Sequence, residues 1–156
     1  PGAKMSDTVS SRATPYLSCR NAQAALNWYA KVFDATELIR LADDTGKVMH
    51  AEIQIGGASV MLADEFPQMG YVSPLALNGS TVSIYVRVDD VDNVFSTALE
   101  SGAIEVMPVS DHFDGDRRGT LKDPFGHIWL VATRIEEVSL AEVEKRFKKM
   151  MEGGAE

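Results

Sequence analysis

His50 and Glu52 are residues whose types and spacing could carry chemistry. They lie two apart in residues 48–55, where polar and apolar side chains alternate as they do in a β-strand. Alternate side chains of a strand point to one face, so the imidazole and the carboxylate could together bind a metal ion or pass a proton. The other interpretation is a hydrogen-bonded pair on a polar sheet face. A metal site would need a further ligand from Gln54, His112 or Asp114.

A second group of ionisable residues precedes the last hairpin of the chain. Its members are His112, Asp114, Asp116, Arg117 and Arg118. Arg117 or Arg118 could hold the carboxylate or phosphate of a ligand with two parallel hydrogen bonds, and we predict His112 and Arg117 as ligand-binding residues. Alternatively, the charges pair with one another and tie the loop to the turn Asp123-Pro-Phe-Gly126, with His127 packed beside that turn.

Two tyrosines lie on the polar faces of predicted strands. Tyr16 alternates with Leu17 and Cys19, and Tyr85 alternates with Ile84 and Val86. The apolar faces would pack under helices, which leaves the polar faces to line a cavity or to meet water. We therefore predict that the tyrosines bind a planar or polar ligand together with Ser18, Ser83 and Arg87.

The elements that must position these residues occur twice along the chain. A strand, a capped helix and three strands occupy about 50 residues and then repeat, which predicts an α+β fold of two βαβββ modules. A capping box, Ser139 to Glu142, predicts a C-terminal helix. The predicted boundaries are 1–11 for residue of an expression tag and a flexible N-terminus, 12–66 for the first module, 67–80 for a linker, 81–134 for the second module and 135–156 for the C-terminal helix and tail.

Composition limits the partners of the chain. A net charge of −8 argues against nucleic acid and anionic membranes, since both require a concentrated basic surface. No apolar run reaches the roughly 20 residues that a membrane span needs, and no signal peptide is recognisable. The only cysteine, Cys19, cannot form an internal disulfide. We expect a cytoplasmic protein in which Cys19 has a packing role.

Short motifs spread over about residues 12–140 give the chain a family likeness. They are Thr14-Pro-Tyr-Leu17, Asn27-Trp-Tyr29, Phe33-Asp-Ala35, His50-Ala-Glu52, Val86-Arg-Val-Asp-Asp90, Gly115-Asp-Arg117, Asp123-Pro-Phe-Gly-His127 and Trp129. With these motifs the chain resembles the vicinal oxygen chelate superfamily, which includes glyoxalase I, extradiol dioxygenases and the fosfomycin- and bleomycin-resistance proteins. Within that superfamily it is similar to the PhnB-like subgroup.

The resemblance implies the glyoxalase/bleomycin-resistance fold, homodimers, and a cavity built from the two sheets. Metal-dependent members place four ligands on the strands, and the corresponding positions here are Thr14, Met61, Ser83 and Leu130. None of these is a credible ligand for a divalent first-row metal, so we expect no metal and no cofactor. The cavity would be lined by Tyr16, His50, Glu52, Met61, Ser83, Tyr85 and Arg87.

Three functions follow from these observations as expectations. The first is metal-independent binding of a small molecule in the cavity. The second is a metal-dependent lyase or related enzyme that uses His50 and Glu52. The third is a protein-interaction module in which the C-terminal helix matters more than the cavity.

Overall fold

The computed structural model describes residues 11–154, and within them the chain forms eight strands and four α-helices. The strands are β1 (Tyr16–Cys19), β2 (Thr36–Ala42), β3 (Val48–Ile55), β4 (Ala58–Asp64), β5 (Ser83–Arg87), β6 (Ile104–Asp111), β7 (Asp116–Lys122) and β8 (Ile128–Arg134). The helices are α1 (Ala22–Phe33), α2 (Pro74–Leu77), α3 (Val91–Glu100) and α4 (Leu140–Gly153). A single 3₁₀ turn covers Pro67–Met69.

The strands form two sheets of identical topology. Their orders are β1-β4-β3-β2 and β5-β8-β7-β6. In each sheet the first strand is parallel to its neighbour and the other pairings are antiparallel. We name the first sheet with α1 module 1 and the second sheet with α3 module 2. The prediction of an α+β fold with two βαβββ modules and a C-terminal helix is confirmed.

Both long module helices start at a side-chain cap. Asn21 accepts a hydrogen bond from the Ala24 amide at 3.0 Å, and Asp90 accepts one from the Asn93 amide at 3.1 Å. The last strand of each module adds a second acceptor at the same place. Asp64 of β4 binds the first amide of α1, and Thr133 of β8 binds the first amide of α3. Each helix is thereby fixed to its own sheet at the same end.

A buried carboxylate joins the two modules. Asp123, in the turn before β8, is 3% exposed. Its Oδ2 accepts hydrogen bonds from the Tyr29 hydroxyl of α1 at 2.6 Å and from Trp129 Nε1 at 2.9 Å. Its Oδ1 accepts the backbone amides of Phe125 and His127, both at 2.9 Å. Because a buried charge is costly unless its hydrogen bonds are satisfied, this arrangement fixes α1 of module 1 against the turn of module 2.

An aromatic cluster surrounds this carboxylate. The ring centroids of Phe33 and Trp129 are 4.6 Å apart, and those of Tyr29 and Trp129 are 5.4 Å apart. Both helix residues come from module 1 and the tryptophan comes from module 2. All three residues are buried, and their packing makes one continuous core across both modules.

Several boundaries differ from the sequence-based expectation. β1 begins at Tyr16, so Thr14 lies before the strand and not within it. β7 begins at Asp116, which places most of the acidic and basic loop residues in or beside strands. Residues 67–80 contain the 3₁₀ turn and the short helix α2, although no periodicity indicated them. The prediction of an expression-tag remnant at the N-terminus falls on residues that lie outside the described part of the chain.

α4 begins as the capping box predicts, since Ser139 accepts a hydrogen bond from the Glu142 amide at 3.2 Å. Arg146 binds both carboxylate oxygens of Glu136 and the carbonyl oxygen of Phe113. The apolar residues of α4 nevertheless remain largely exposed. Within residues 11–154, no helix has both the length and the apolar character that crossing a membrane would require.

We expect the Tyr29→Phe variant to lose about 2 kcal/mol of unfolding free energy, because it removes a buried hydrogen bond to a charged acceptor without changing the packing. Chemical denaturation of the full chain measures this loss. The matched control is Tyr71→Phe, since the Tyr71 side chain is exposed. Equal stability of the two variants would contradict a central role for the Asp123 carboxylate.

Candidate functional site

Each sheet has one face covered by its helix and one open face, as the alternation predicted. On β3, Ala51, Ile53 and Ile55 are buried, whereas His50, Glu52 and Gln54 are half-buried on the open face. On β5, Val86 is buried, whereas Ser83, Tyr85 and Arg87 are exposed. We name these surfaces the module 1 face and the module 2 face. The predicted site residues of β3 and β5 therefore lie on surfaces that a ligand can reach.

Pairing between the strands brings four of the predicted residues together on the module 1 face. Tyr16 of β1 lies opposite Met61 of β4, and Met61 lies opposite Glu52 of β3. Glu52 in turn lies opposite Ile39 of β2. Because residues directly opposite share a face, these side chains form one row across the sheet. His50 lies beside that row on β3, opposite Leu41.

The hydrogen-bonded pair on this face is Tyr16 with His50. The Tyr16 hydroxyl lies 2.7 Å from His50 Nδ1, and the two ring centroids are 5.5 Å apart. Burial raises the pKa of Tyr16 above its ordinary value of 10.0, and the nearby Tyr71 raises it further. The phenol is therefore protonated at neutral pH, and it can donate to Nδ1 when the ring proton of His50 is on Nε2. Among the described residues, Glu52 has no hydrogen bond to His50, so the predicted pair is replaced by Tyr16 and His50.

A cavity of about 450 Å³ adjoins this pair. Tyr16 belongs to its wall, and the backbone of Phe66 pairs with that of Tyr71 to close one side. Lys47 Nζ lies 4.2 Å from the centroid of the Phe66 ring and supports it from outside. We name this cavity the module 1 pocket. Its main lining side chains are Tyr16, Met49, Phe66, Met69 and Tyr71.

Sequence reasoning missed most of this pocket. It assigned residues 67–80 to a linker and did not consider Phe66, Met69 or Tyr71 as site residues. The signal was a group of large apolar and aromatic residues in a segment rich in proline and glycine. Such residues are unusual in a solvent-exposed connection, and here they close a cavity over the sheet.

A wider cleft of about 750 Å³ runs along the junction of the modules. β1, the segment around α2 and the start of β5 form its walls, and Tyr16 borders both this cleft and the module 1 pocket. At its edge His127 Nε2 lies 3.1 Å from the carbonyl oxygen of Ser18 and 3.9 Å from Cys19 Sγ. Burial raises the pKa of the Cys19 thiol strongly, which suppresses the thiolate and leaves this cysteine a packing residue.

On the module 2 face, ionised side chains surround the buried Asp116. Its Oδ2 accepts hydrogen bonds from the Tyr85 hydroxyl and from Arg87 Nη2, the latter at 3.1 Å. Arg134 Nε lies 2.8 Å from Oδ1 as an ion pair, although the geometry is not that of a hydrogen bond. Burial and then the hydrogen bond to Asp116 raise the pKa of Tyr85. Asp116 and Arg134 were not among the predicted ligand-binding residues, because the contacts that bring Asp116 to Tyr85, Arg87 and Arg134 join residues distant in sequence.

The charged residues that the sequence analysis placed before the last hairpin lie on different faces of the second sheet. Arg117 donates two hydrogen bonds of 2.9 Å to Asp92 of α3 and one of 2.9 Å to Asp111, on the helix-covered side of the sheet. These bonds raise its pKa. Its guanidinium is thus committed to internal ion pairs, as the structural interpretation of the loop described. Arg118 instead lies near Tyr85 and binds Asp114 at 2.7 Å, while its Nη2 lies 3.2 Å from His112 Nδ1.

The four positions that correspond to metal ligands do not fit a divalent cation. Thr14 precedes β1, Met61 and Ser83 lie on the faces of different sheets, and Leu130 offers only hydrocarbon. A thioether and two hydroxyls are weak ligands for a hard cation. Residues 11–154 also contain no grouping of three His, Cys, Asp or Glu side chains able to hold one ion.

Comparisons with known proteins agree on one family. A model of the Glyoxalase/Bleomycin resistance protein/Dioxygenase superfamily matches residues 11–131. An uncharacterized protein of Mycobacterium tuberculosis (strain H37Rv) is 37% identical over 155 residues, which is 97% of this chain and 91% of that protein.

Solved structures of related proteins share the fold. The PhnB protein from Bacillus cereus is 23% identical with a TM-score of 0.63, covering 79% of this chain and 99% of that one. The fosfomycin resistance protein FosX from Listeria monocytogenes, solved with Mn(II) and sulfate, is 15% identical with a TM-score of 0.64. The match covers 90% of this chain and 99% of that one. At these identities the likeness concerns the fold alone.

We expect acid to destabilise the protein through His127. Burial lowers the pKa of this imidazole below its ordinary 6.5, although Asp123 partly opposes the shift. The unfolded chain then binds a proton that the folded chain excludes. Stability is therefore complete above a pH of about 6.5 and falls below it, by up to about 1.4 kcal/mol per pH unit until the folded pKa is reached.

Denaturation curves between pH 7.5 and about 5 measure this effect. His127→Gln should lose the part of the pH dependence that the buried imidazole causes, whatever its absolute stability. His112→Gln, which changes a histidine of the module 2 loop, is the control and should keep the wild-type slope. The same slope in all three proteins would rule out His127 as the cause.

Proposed function

The chain belongs to the Glyoxalase/Bleomycin resistance protein/Dioxygenase superfamily, and we propose that within this family it binds a small organic molecule without the help of a metal ion. The observation that carries the proposal is the module 1 pocket, with the hydrogen-bonded Tyr16 and His50 at its edge. Fold alone does not assign an activity in a family with several chemistries, so the argument rests on the side chains of the site.

The pocket has the composition of a ligand site. Its volume of about 450 Å³ lies within the range of small-molecule cavities. Two tyrosines and Phe66 offer faces on which a planar group can stack, and Met49 and Met69 adapt their shape to an apolar ligand. The Tyr16 hydroxyl and the Nε2 proton of His50 provide polar groups that can orient the ligand. We therefore favour a planar, largely apolar molecule with one hydrogen-bonding substituent.

The residues at the metal-ligand positions support metal independence. Met61 and Leu130 are apolar, and they replace the groups that a cation would require. Met61 instead lies beside Tyr16 at the edge of the pocket, and Glu52 separates it from Ile39. A ligand held there gains from burial of apolar area and needs no ionic partner in module 1.

A homodimer forms part of the proposal. Large apolar side chains remain exposed on β2, β6 and α4 within the described chain, and a second copy would cover such surfaces. They include Ile39, Leu41, Met107, Phe147 and Met150. The open face of one copy could then meet the open face of the other, which would enclose the site residues of both modules.

Ligand binding should persist when a chelator removes metal ions from the solution. We expect a panel of planar aromatic metabolites, screened by thermal shift of the full chain with excess EDTA, to contain compounds that raise the melting temperature. Met69→Ala should weaken the binding of such a compound several-fold, because it removes apolar contact from the pocket wall.

The matched control is Met151→Ala. Met69 is 69% exposed and Met151 is 60% exposed, but Met151 lies on α4, away from the pocket. Equal effects of the two substitutions, or binding that disappears with EDTA, would contradict the proposal. Light scattering on the same samples gives the mass, and a monomer would contradict the dimer.

A second candidate function is supported by one specific observation. The Tyr16 hydroxyl and His50 form a hydrogen-bonded pair on an open face, and Glu52 lies near them on the same strand face. Such groups can transfer protons to or from a bound substrate. In this alternative the protein is an enzyme that uses His50 and Glu52. A metal ion at this site would require additional ligands in the assembled protein.

The enzyme alternative predicts that His50→Gln lowers the turnover rate at least about 100-fold, which is the usual contribution of a general acid or base. The melting temperature should change little, since His50 is only half-buried. Gln54→Glu, on the same strand face, would serve as the control for a local change of polarity. If His50→Gln keeps full turnover, the pair serves binding alone.

A further inference from the structure

We propose that the module 2 face binds the carboxylate of a small amphipathic organic anion between Arg87 and Arg118. This inference adds a second recognition site and a ligand class to the proposed function. It does not depend on occupancy of the module 1 pocket, which has no arginine in its wall.

The strand register places the two arginines on either side of a small residue. Arg87 of β5 lies opposite Ala132 of β8, and Ala132 lies opposite Arg118 of β7. All three share the open face, because directly opposite residues point to the same side of a sheet. The methyl group of Ala132 cannot fill the space between two long side chains. Ala132 itself is completely buried, so the side chains of Arg87 and Arg118 lie over it and any anion would rest on the surface that they form.

Internal carboxylates hold both arginines in place. Arg87 donates to Asp116 at 3.1 Å, and Asp116 is 1% exposed and is held in turn by Tyr85 and Arg134. Arg118 donates to Asp114 at 2.7 Å. A mobile arginine side chain loses much conformational entropy when it binds a ligand. Preorganisation by these ion pairs reduces that cost and favours a binding role.

The cluster retains unused positive charge. Three guanidinium groups, those of Arg87, Arg118 and Arg134, surround the carboxylates of Asp114 and Asp116 and leave one charge in excess. This excess is local, because the whole chain carries a net charge of −8. On the helix-covered side of the sheet, the two carboxylates of Asp92 and Asp111 share the single guanidinium of Arg117, so that separate group carries one negative charge in excess.

Arg87 has the donors to bind an external anion. Its side chain is 57% exposed, and its one hydrogen bond within the described chain is the one to Asp116. Arg117, by comparison, donates three hydrogen bonds to two carboxylates. A guanidinium has five N–H groups in a planar fork, so Arg87 can still bind a carboxylate with two parallel hydrogen bonds.

An apolar row lies directly beside the two arginines. Tyr85 lies opposite Leu130, Leu130 opposite Thr120, and Thr120 opposite Met107. The Arg87 Cζ atom is 5.8 Å from the centroid of the Tyr85 ring, which joins the cationic row to the apolar one. A molecule with a carboxylate and an apolar body matches both rows, whereas inorganic phosphate would use the arginines alone. Lys122 lies farther along the same face, opposite Ile128.

Benzoate is a suitable probe, because it combines a carboxylate with a planar apolar ring. We would titrate it into the isotope-labelled full chain and follow the backbone amides by NMR. We expect saturable shifts centred on the residues around Arg87, Ala132 and Arg118. Benzamide, which has the same shape but no charge, should bind at least about tenfold more weakly at this face, since it loses the charge-assisted hydrogen bonds.

Substitutions distinguish the effect of the guanidinium group of Arg87 from the effect of positive charge alone. Arg87→Gln should weaken benzoate binding about tenfold, and Arg87→Lys should restore only part of it, because lysine keeps the charge but not the fork. Arg40→Gln is the control: it removes the same charge from β2, where Arg40 binds Glu37, and should leave binding unchanged. Unfolding curves confirm that each variant is folded.

Three outcomes would overturn this inference. Equal binding of benzamide would show an apolar surface without anion recognition. Equal binding of inorganic phosphate at the same amides would show a general anion site with no role for the apolar row. Benzoate shifts confined to residues 66–71 would place the ligand in the module 1 pocket, which would support the proposed function while removing this second site.

Discussion

The Asp123 carboxylate is the interaction on which the rest of the structure depends. It is buried, and its four hydrogen bonds come from Tyr29 of module 1 and from Trp129 and two backbone amides of module 2. A charge in this position is stable only while all four donors remain in place. The same contacts define the turn before β8 and bring α1 to it. The geometry of the turn before β8, the position of α1 and the contact between the two modules therefore depend on one another.

This joining determines which surfaces remain available. The helices and the aromatic cluster occupy the covered sides of both sheets, so the open faces carry the polar and ionisable side chains. Identical topology has not produced identical chemistry. The module 1 face has the hydrogen-bonded Tyr16 and His50 beside an aromatic pocket, whereas the module 2 face has arginines around Asp116. The two faces therefore support two different proposed sites, an aromatic pocket on module 1 and a carboxylate site on module 2.

Family membership sets limits on function without deciding it. The resemblance assigns the metal-ligand positions to Thr14, Met61, Ser83 and Leu130 in this chain, and these side chains do not suit a divalent cation. The two buried reactive groups near the junction also have structural roles. Cys19 is a protonated thiol in the core, and His127 bonds a backbone carbonyl between the modules. Chemistry, if the protein performs any, has to use the side chains on the open faces.

Local patterns in the sequence determined the repeated βαβββ order, the helix caps and the polar or apolar side of each strand, because alternation and capping act over a few residues. Tertiary structure alone decided which side chains meet. Tyr29 and Asp123 are 94 residues apart, and Arg117 binds Asp92 of another element and does not share a face with Arg87. Phe66 pairs with Tyr71 across a short turn, but only the fold brings that turn beside Tyr16 of β1 to close the pocket. Such contacts follow from the packing of distant elements, which no local pattern encodes.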